Sequence, residues 1–210
     1  MIFKRIHEKG ILAKLIEQGI RILLIKECKK IGNLKIDIIS TSTQIIKGEV
    51  QKINLFAKDI NYKDLLFDEI KLESNQIKIN FKLINNKLYF QNDPIIKFKI
   101  SLSQNSLTKV LLSNNWNWIG NMISKKLLNQ EKLGNIRIKN GKFLIKENEK
   151  NKSINEVEQI NIKTESGRVY LENKAFNKSI QIPIEDKVYI ENVSIENNLI
   201  HFFGNSSISF

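Results

Sequence analysis

The side chains best able to do covalent chemistry are few: two histidines, His7 and His201, and a single cysteine, Cys28. A nucleophilic thiol needs an imidazole or a cationic pocket to lower its pKa, and neither local sequence points to an activated thiol. His7 belongs to the basic start of the chain. His201 lies in Leu199-Ile-His-Phe-Phe203, where alternation puts it on the polar, solvent side of a strand. Asp64, Asp68, Glu69 and Asp186 offer carboxylates, but acid pairs are too common to mark a site without geometry. The chain has no Gly-x-Ser-x-Gly, His-Glu-x-x-His, P-loop or Gly-x-Gly-x-x-Gly motif. A lone cysteine leaves no intramolecular disulfide framework and no cysteine-based zinc cluster. These absences point to binding rather than catalysis, with no cofactor and no metal.

Other residues suit binding better. Lys4, Arg5, Lys9, Lys14 and Arg21 bracket the apolar face of the N-terminal segment. That arrangement lets a helix lie in a membrane interface with its basic groups at anionic head groups. The competing arrangement packs the same apolar face on a sheet, and its arc is wide enough for that. Trp116 and Trp118, in Asn114-Asn-Trp-Asn-Trp-Ile119, each join an apolar ring to one N–H donor, which suits a water–lipid boundary or the mouth of a cavity. Against this stands the commoner pairing of one tryptophan under a helix and one partly exposed.

The formal net charge of +12 and a pI near 9.6 make polyanions, nucleic acid or anionic lipid, natural partners. However, the lysines are spread through turns and strands alongside asparagine and isoleucine, so part of the charge belongs to ordinary solvated faces. Phe67, Tyr62, Tyr89 and Phe90 form no consecutive stacking pattern for a single strand of nucleic acid.

These residues must be positioned by elements, and the hydrophobic rhythm changes once along the chain. From Gly10 to Ile25 it is helical. Leu12, Leu15, Ile16, Gly19, Ile20 and Leu23 share one side, with Lys14, Glu17, Gln18 and Arg21 opposite. Glu17 and Arg21 form an i,i+4 pair in the favourable order. Strand alternation follows in 34–38, 50–56, 70–72, 77–83, 88–90 and 96–102. Ser103 to Leu128 reads as a helical pair broken near Asn114 to Asn117, with Ser103 or Asn105 as cap and Leu107, Leu111, Ile119, Met122 and Ile123 on its apolar stripe. Strands resume after Gly134, beginning with a hairpin over 136–145 whose Asn140-Gly141 suits a type I′ turn. Asn148 to Asn155 reads as a polar loop. Ile70 to Ile79 and Val193 to Phe202 echo each other as strand, Glu-x-Asn turn, strand.

At 210 residues, with 2 Pro and 9 Gly, the chain has no linker and reads as one domain over 1–210. Its parts are an N-terminal helix (1–30), a first sheet region (33–103), a helical insert (104–130) and a second sheet region (134–210). The fold class is α+β: an amphipathic helix, then a curved antiparallel sheet in two stretches with the central helical pair packed on it. The most apolar N-terminal run, Ile22 to Ile25, is too short to span a bilayer and no clean signal-peptide core precedes it. A soluble or peripheral protein on the cytoplasmic side is therefore expected.

The order of pieces resembles the LmeA-like family of phospholipid-binding proteins of cyanobacteria and actinobacteria. The carrying stretches are Ile46-Lys-Gly48-Glu-Val50-Gln-Lys-Ile-Asn-Leu55-Phe-Ala57, Leu65-Leu-Phe-Asp-Glu-Ile70-Lys-Leu72 and Ile100-Ser-Leu102-Ser-Gln-Asn-Ser-Leu107-Thr-Lys-Val-Leu111, with 188–204 similar to the close of cyanobacterial members. The chain departs from the family where Asn105 and Ser106 replace a usual acidic-Leu pair, and in lacking the export signal of cell-envelope members. The resemblance implies an acyl-chain or phospholipid ligand held without catalysis between a curved sheet and helices. The expectation is thus non-catalytic lipid binding at a membrane surface, with the basic residues at head groups, Trp116 and Trp118 at the interface, and Leu107, Leu111, Ile119, Met122 and Ile123 lining an apolar cavity. A nucleic-acid-binding module and a scaffold for a protein partner are the rival expectations.

Overall fold

The computed structural model describes residues 10–82, 87–90, 93–146 and 157–207. Lys4, Arg5, His7 and Lys9, and the polar stretch from Asn148 to Asn155, lie outside the described residues.

Helix α1 (Ile11–Glu27) hands over through an extended Cys28 to β1 (Lys30–Ile39). A one-turn helix α2 (Ser42–Ile46) follows, held by a capping box. The Gln44 amide N–H donates to Thr41 Oγ1 at 3.2 Å, and the Thr41 N–H donates to Gln44 Oε1 at 2.9 Å. Next come the long strands β2 (Glu49–Tyr62) and β3 (Leu65–Lys82), then β4 (Lys87–Phe90) and β5 (Ile95–Ser103). Helices α3 (Gln104–Leu112) and α4 (Asn117–Ile123) are separated by the expected break, and α4 runs into a π-helical turn at Ser124–Leu128. Ser103 caps α3, its Oγ accepting from the Ser106 N–H, while the Ser103 N–H donates to Asp68 Oδ2 at 2.6 Å. The rest is strand: β6 (Ile136–Lys139), β7 (Lys142–Lys146), β8 (Val157–Glu165), β9 (Arg168–Asn173), β10 (Lys178–Gln181), β11 (Val188–Glu196) and β12 (Leu199–Ser207).

The strands form two antiparallel sheets. The larger runs β1-β2-β3-β5-β12-β11, with β4 paired to β3, and the five-stranded sheet runs β10-β9-β8-β7-β6. This is the expected α+β class, with one difference in assignment. The final hairpin, β11 and β12, returns to the first sheet, where β12 pairs with β5 from Leu199↔Ser103 to Ser207↔Ile95. The region expected as strands over 134–210 thus supplies β6 to β10 to the smaller sheet and β11 and β12 to the larger.

The hairpin at 136–145 is as expected, with φ of 51° at Asn140 and 71° at Gly141 supplying the type I′ turn. The echo between 70–79 and 193–202 does not hold. Val193 to Phe202 is a hairpin, with positive φ at both Asn197 and Asn198. Ile70 to Ile79 is one continuous strand whose register against β2 stays unbroken, from Ile70↔Ala57 through Asn75↔Lys52 to Ile77↔Val50. Only Gln76 there has positive φ, and a two-residue I′ turn needs two such residues in sequence.

Two cores fill the molecule. One lies between α1, α2 and the ends of β1 to β3 and contains Ala13, Ile16, Ile36, Ile38, Ile45, Val50, Ile77 and Ile79. The other joins the helical pair, the five-stranded sheet and Ile200 of β12. It includes Leu127, Ile136 and Ile145, each with no measurable exposure.

Candidate functional site

Between these cores, one face of the larger sheet stays uncovered. In-register pairing lines up a row of side chains across six strands: Ile36↔Leu55↔Leu72↔Phe98↔Gly204↔Ile190. Ile36 faces α1, so alternation places the whole row on the α1 side of the sheet. Leu55, Leu72 and Phe98 are only half-buried there. They floor an open groove of about 780 Å³ walled by Glu17 and Arg21 of α1 and by Leu34 of β1. That volume lies within the range of small-molecule sites, roughly 300–1,000 Å³.

Each boundary has a local cause. Arg21 Nη1 donates to the Leu34 carbonyl at 3.2 Å and Nη2 reaches Glu17 Oε1 at 3.4 Å, which pins a charged pair along the groove edge. At the far end, Phe98 lies over Gly204. A Cβ on Gly204 would run into the Tyr189 carbonyl oxygen and stand 2.8 Å from Phe98 Cζ, so only glycine lets the ring settle.

The reverse face has a different chemistry. The next row along the same strands is Lys35↔Phe56↔Lys71↔Lys99↔Phe203↔Asn192. The Lys58 and Lys71 ammonium groups lie 5.7 Å from the centre of the Phe56 ring, and that of Lys99 lies 5.0 Å from Phe203. Lys52 pairs with Glu73 at 2.7 Å, which holds the Glu73 carboxyl below its ordinary range.

The groups with chemical potential are engaged by neighbouring side chains or partly buried. His201 is buried, contrary to the solvent-facing position expected from its strand, with Ser101 of β5 and the Phe203 ring beside it. Its Nδ1 meets Ser101 Oγ at 2.8 Å, and Ser101 is 2 % exposed. Burial, then the charge of Lys99, pushes the imidazole pKa below its ordinary value, while Glu196 and Glu69 oppose the shift. Both partners of this contact are buried and bridge neighbouring strands β5 and β12. Burial, then Glu27, raises the Cys28 thiol pKa, the opposite of activation. Asp64 accepts from Lys29 Nζ at 2.7 Å and Asn115 Nδ2 at 2.6 Å; the Lys29 bond is the main reason its carboxyl lies below the ordinary range. Asp186 binds Arg168 at 2.7 Å. Among the described residues no cluster of histidine, cysteine and carboxylate groups has the makings of a metal site.

The residues expected to form the site are dispersed. Leu111 and Ile123 are buried in the second core with Leu107, Ile119 and Met122 packed against it, and none of them lines the groove. The helical stripe packs on the core that includes the five-stranded sheet. Trp116 is half-buried and its Nε1 donates to the Lys63 carbonyl at 3.0 Å, while Trp118 is 48 % exposed. Lys14 is exposed on α1, and Arg21 is drawn to the groove edge. The floor residues Leu55, Leu72 and Phe98 were visible only as alternation; their pairing into one uncovered row is not local information. The capping box Thr41-Ser-Thr-Gln44 was a readable signal for α2. Among the described residues no helix is long and apolar enough to cross a membrane.

Comparisons of the chain with protein-family models, with curated proteins and with solved structures find no match.

Proposed function

We propose that this protein binds a phospholipid or another acyl lipid non-covalently in the groove over Leu55, Leu72 and Phe98. The carrying observation is an uncovered apolar row in a sheet whose flanking stretches are packed, bounded by an ion pair at one edge. An acyl chain gains about 0.8 kcal/mol per methylene removed from water, and the half-buried floor offers it a complementary surface. The resemblance to the LmeA-like family favours the same ligand class. Arg21 is the polar group placed to meet a head group, although its bonds to Glu17 and Leu34 make it a weak anchor. Organic extraction of freshly purified protein is expected to yield lipid in near-stoichiometric amount, and Leu72→Lys is expected to lose it. Protein that extracts empty, or Leu72→Lys that retains its lipid, would count against the reading.

A second reading draws on the reverse face. Lys71 and Lys99 stand directly opposite each other, an unfavourable like-charge pairing, with Phe56 and Phe203 on either side. A single-stranded nucleic acid would meet both cations and rings there. Binding to single-stranded RNA that falls steeply with salt and is lost in Lys71→Gln/Lys99→Gln would favour it.

A further inference from the structure

The helix that walls the groove carries a second apolar stripe on the side away from the sheet. Ile11, Leu15, Ile22 and Ile25 are 78, 61, 65 and 55 % exposed. At about 100° per residue they share an arc of roughly 80° opposite Ile16 and Ile20, which face the core. Isolated exposed aliphatics are ordinary on a surface, but four of them on one arc, interrupted by Gln18 between Leu15 and Ile22, mark a docking face.

The borders of the stripe say what it fits. Lys14 and Lys26 flank it, both exposed. The acids of the helix lie off it: Glu17 is turned to Arg21 at the groove, and Glu27 is the last helical residue, on the far side. Lysine is depleted in protein–protein interfaces, whereas lysines beside an apolar helical face suit anionic head groups. The net charge of +12 adds long-range attraction of the same sign.

We propose that the outer stripe of α1 docks the protein onto an anionic bilayer, with Ile11, Leu15 and Ile22 entering the acyl boundary and Lys14 and Lys26 meeting the head groups. Docking stands on the exposure of the stripe; only its role in supplying the groove rests on the lipid reading. Glu17 and Arg21 lie about a quarter-turn or more round the same helix, so docking brings the groove edge within about 10 Å, one helix diameter, of the head-group plane. Asp64 ties Lys29, two residues past α1, to Asn115, three residues before the exposed Trp118.

Vesicle flotation tests this, comparing phosphatidylglycerol-containing vesicles with pure phosphatidylcholine at low and high salt. Ile11→Gln/Leu15→Gln/Ile22→Gln keeps good helix formers at exposed positions and is expected to lower partitioning about tenfold or more. Lys14→Gln and Lys26→Gln are expected to cost about fivefold each, at low salt only. Circular dichroism checks that the variants stay folded. The proposal is overturned if the folded triple variant floats like wild type, or if wild type ignores vesicles and forms a dimer that the triple variant dissolves. Extraction of lipid from the same preparations separates the two readings. Leu72→Lys that floats but is empty supports both; wild type that floats but is always empty supports docking and removes the groove ligand.

Discussion

One face of the larger sheet is treated in two ways across its width. At β12 and β11, Ile200 is buried in the second core, and Phe202, Val193 and Ile195 pack against the helical pair and the five-stranded sheet. On the adjoining strands, the same alternation in β5, β3 and β2 leaves Phe98, Leu72 and Leu55 half-buried, because α1 and α2 cover only β1 and the strand ends. Alternation assigns a residue to a face. Whether that face becomes core or groove depends on what is brought over it from elsewhere in the chain, and here the supply of covering elements runs out over three strands.

The comparison can be broken hardest by truncation. Leu127→Ala or Ile145→Ala, at positions with no exposure, should destabilise by about 2–5 kcal/mol in denaturant unfolding. Leu72→Ala should cost about 1 kcal/mol or less, since its side chain is already part-solvated. Equal losses at the two ends would mean that the groove is as tightly packed as the core. Next in size is Gly204→Ala, which drives a methyl into the Tyr189 carbonyl and the Phe98 ring. It should cost about 1–3 kcal/mol and reduce lipid retention together with stability. A variant that loses stability but holds its lipid unchanged would detach Phe98 from the groove. Removing the cap in Ser103→Ala should cost about 1 kcal/mol and leave lipid retention alone, because α3 belongs to the packed end.

The smallest effect concerns pH. His201 is held below its ordinary pKa of 6.5 by burial and by Lys99. As pH falls, the unfolded chain takes up this proton before the folded one does. Unfolding therefore binds protons, and stability declines as pH drops through about 6.5 toward the lower folded value, with no contribution above it. His201→Gln should flatten that part of the curve. Stability that rises on acidification across this window would contradict the burial of a neutral imidazole.

Features set by neighbouring residues were legible in the sequence. Asn140-Gly141 marks its hairpin, Ser103 marks the start of α3, and the asparagines around 114–117 mark the break before α4. The misread stretches share a non-local cause. Glu73-Ser-Asn75 resembles the turn at Glu196-Asn-Asn198, but pairing with β2 on one side and β5 on the other holds it extended. For α1 the expected apolar side was rotated: Leu15 and Leu23 point outward and Ala13, Ile16, Ile20 and Leu24 inward. A helix whose apolar residues occupy more than one arc does not reveal which arc its sheet will take. For the candidate site, Arg21 could be picked out from its type and its place on the helix, whereas the floor emerges only from register across β2, β3 and β5.

The most direct test of the account is native mass spectrometry of freshly purified wild type and Leu72→Lys, each with organic extraction. The account predicts a bound acyl lipid at near one-to-one stoichiometry on wild type and none on the folded variant. Wild type that is empty after purification from lipid-rich cells and takes up no phospholipid from vesicles would contradict it.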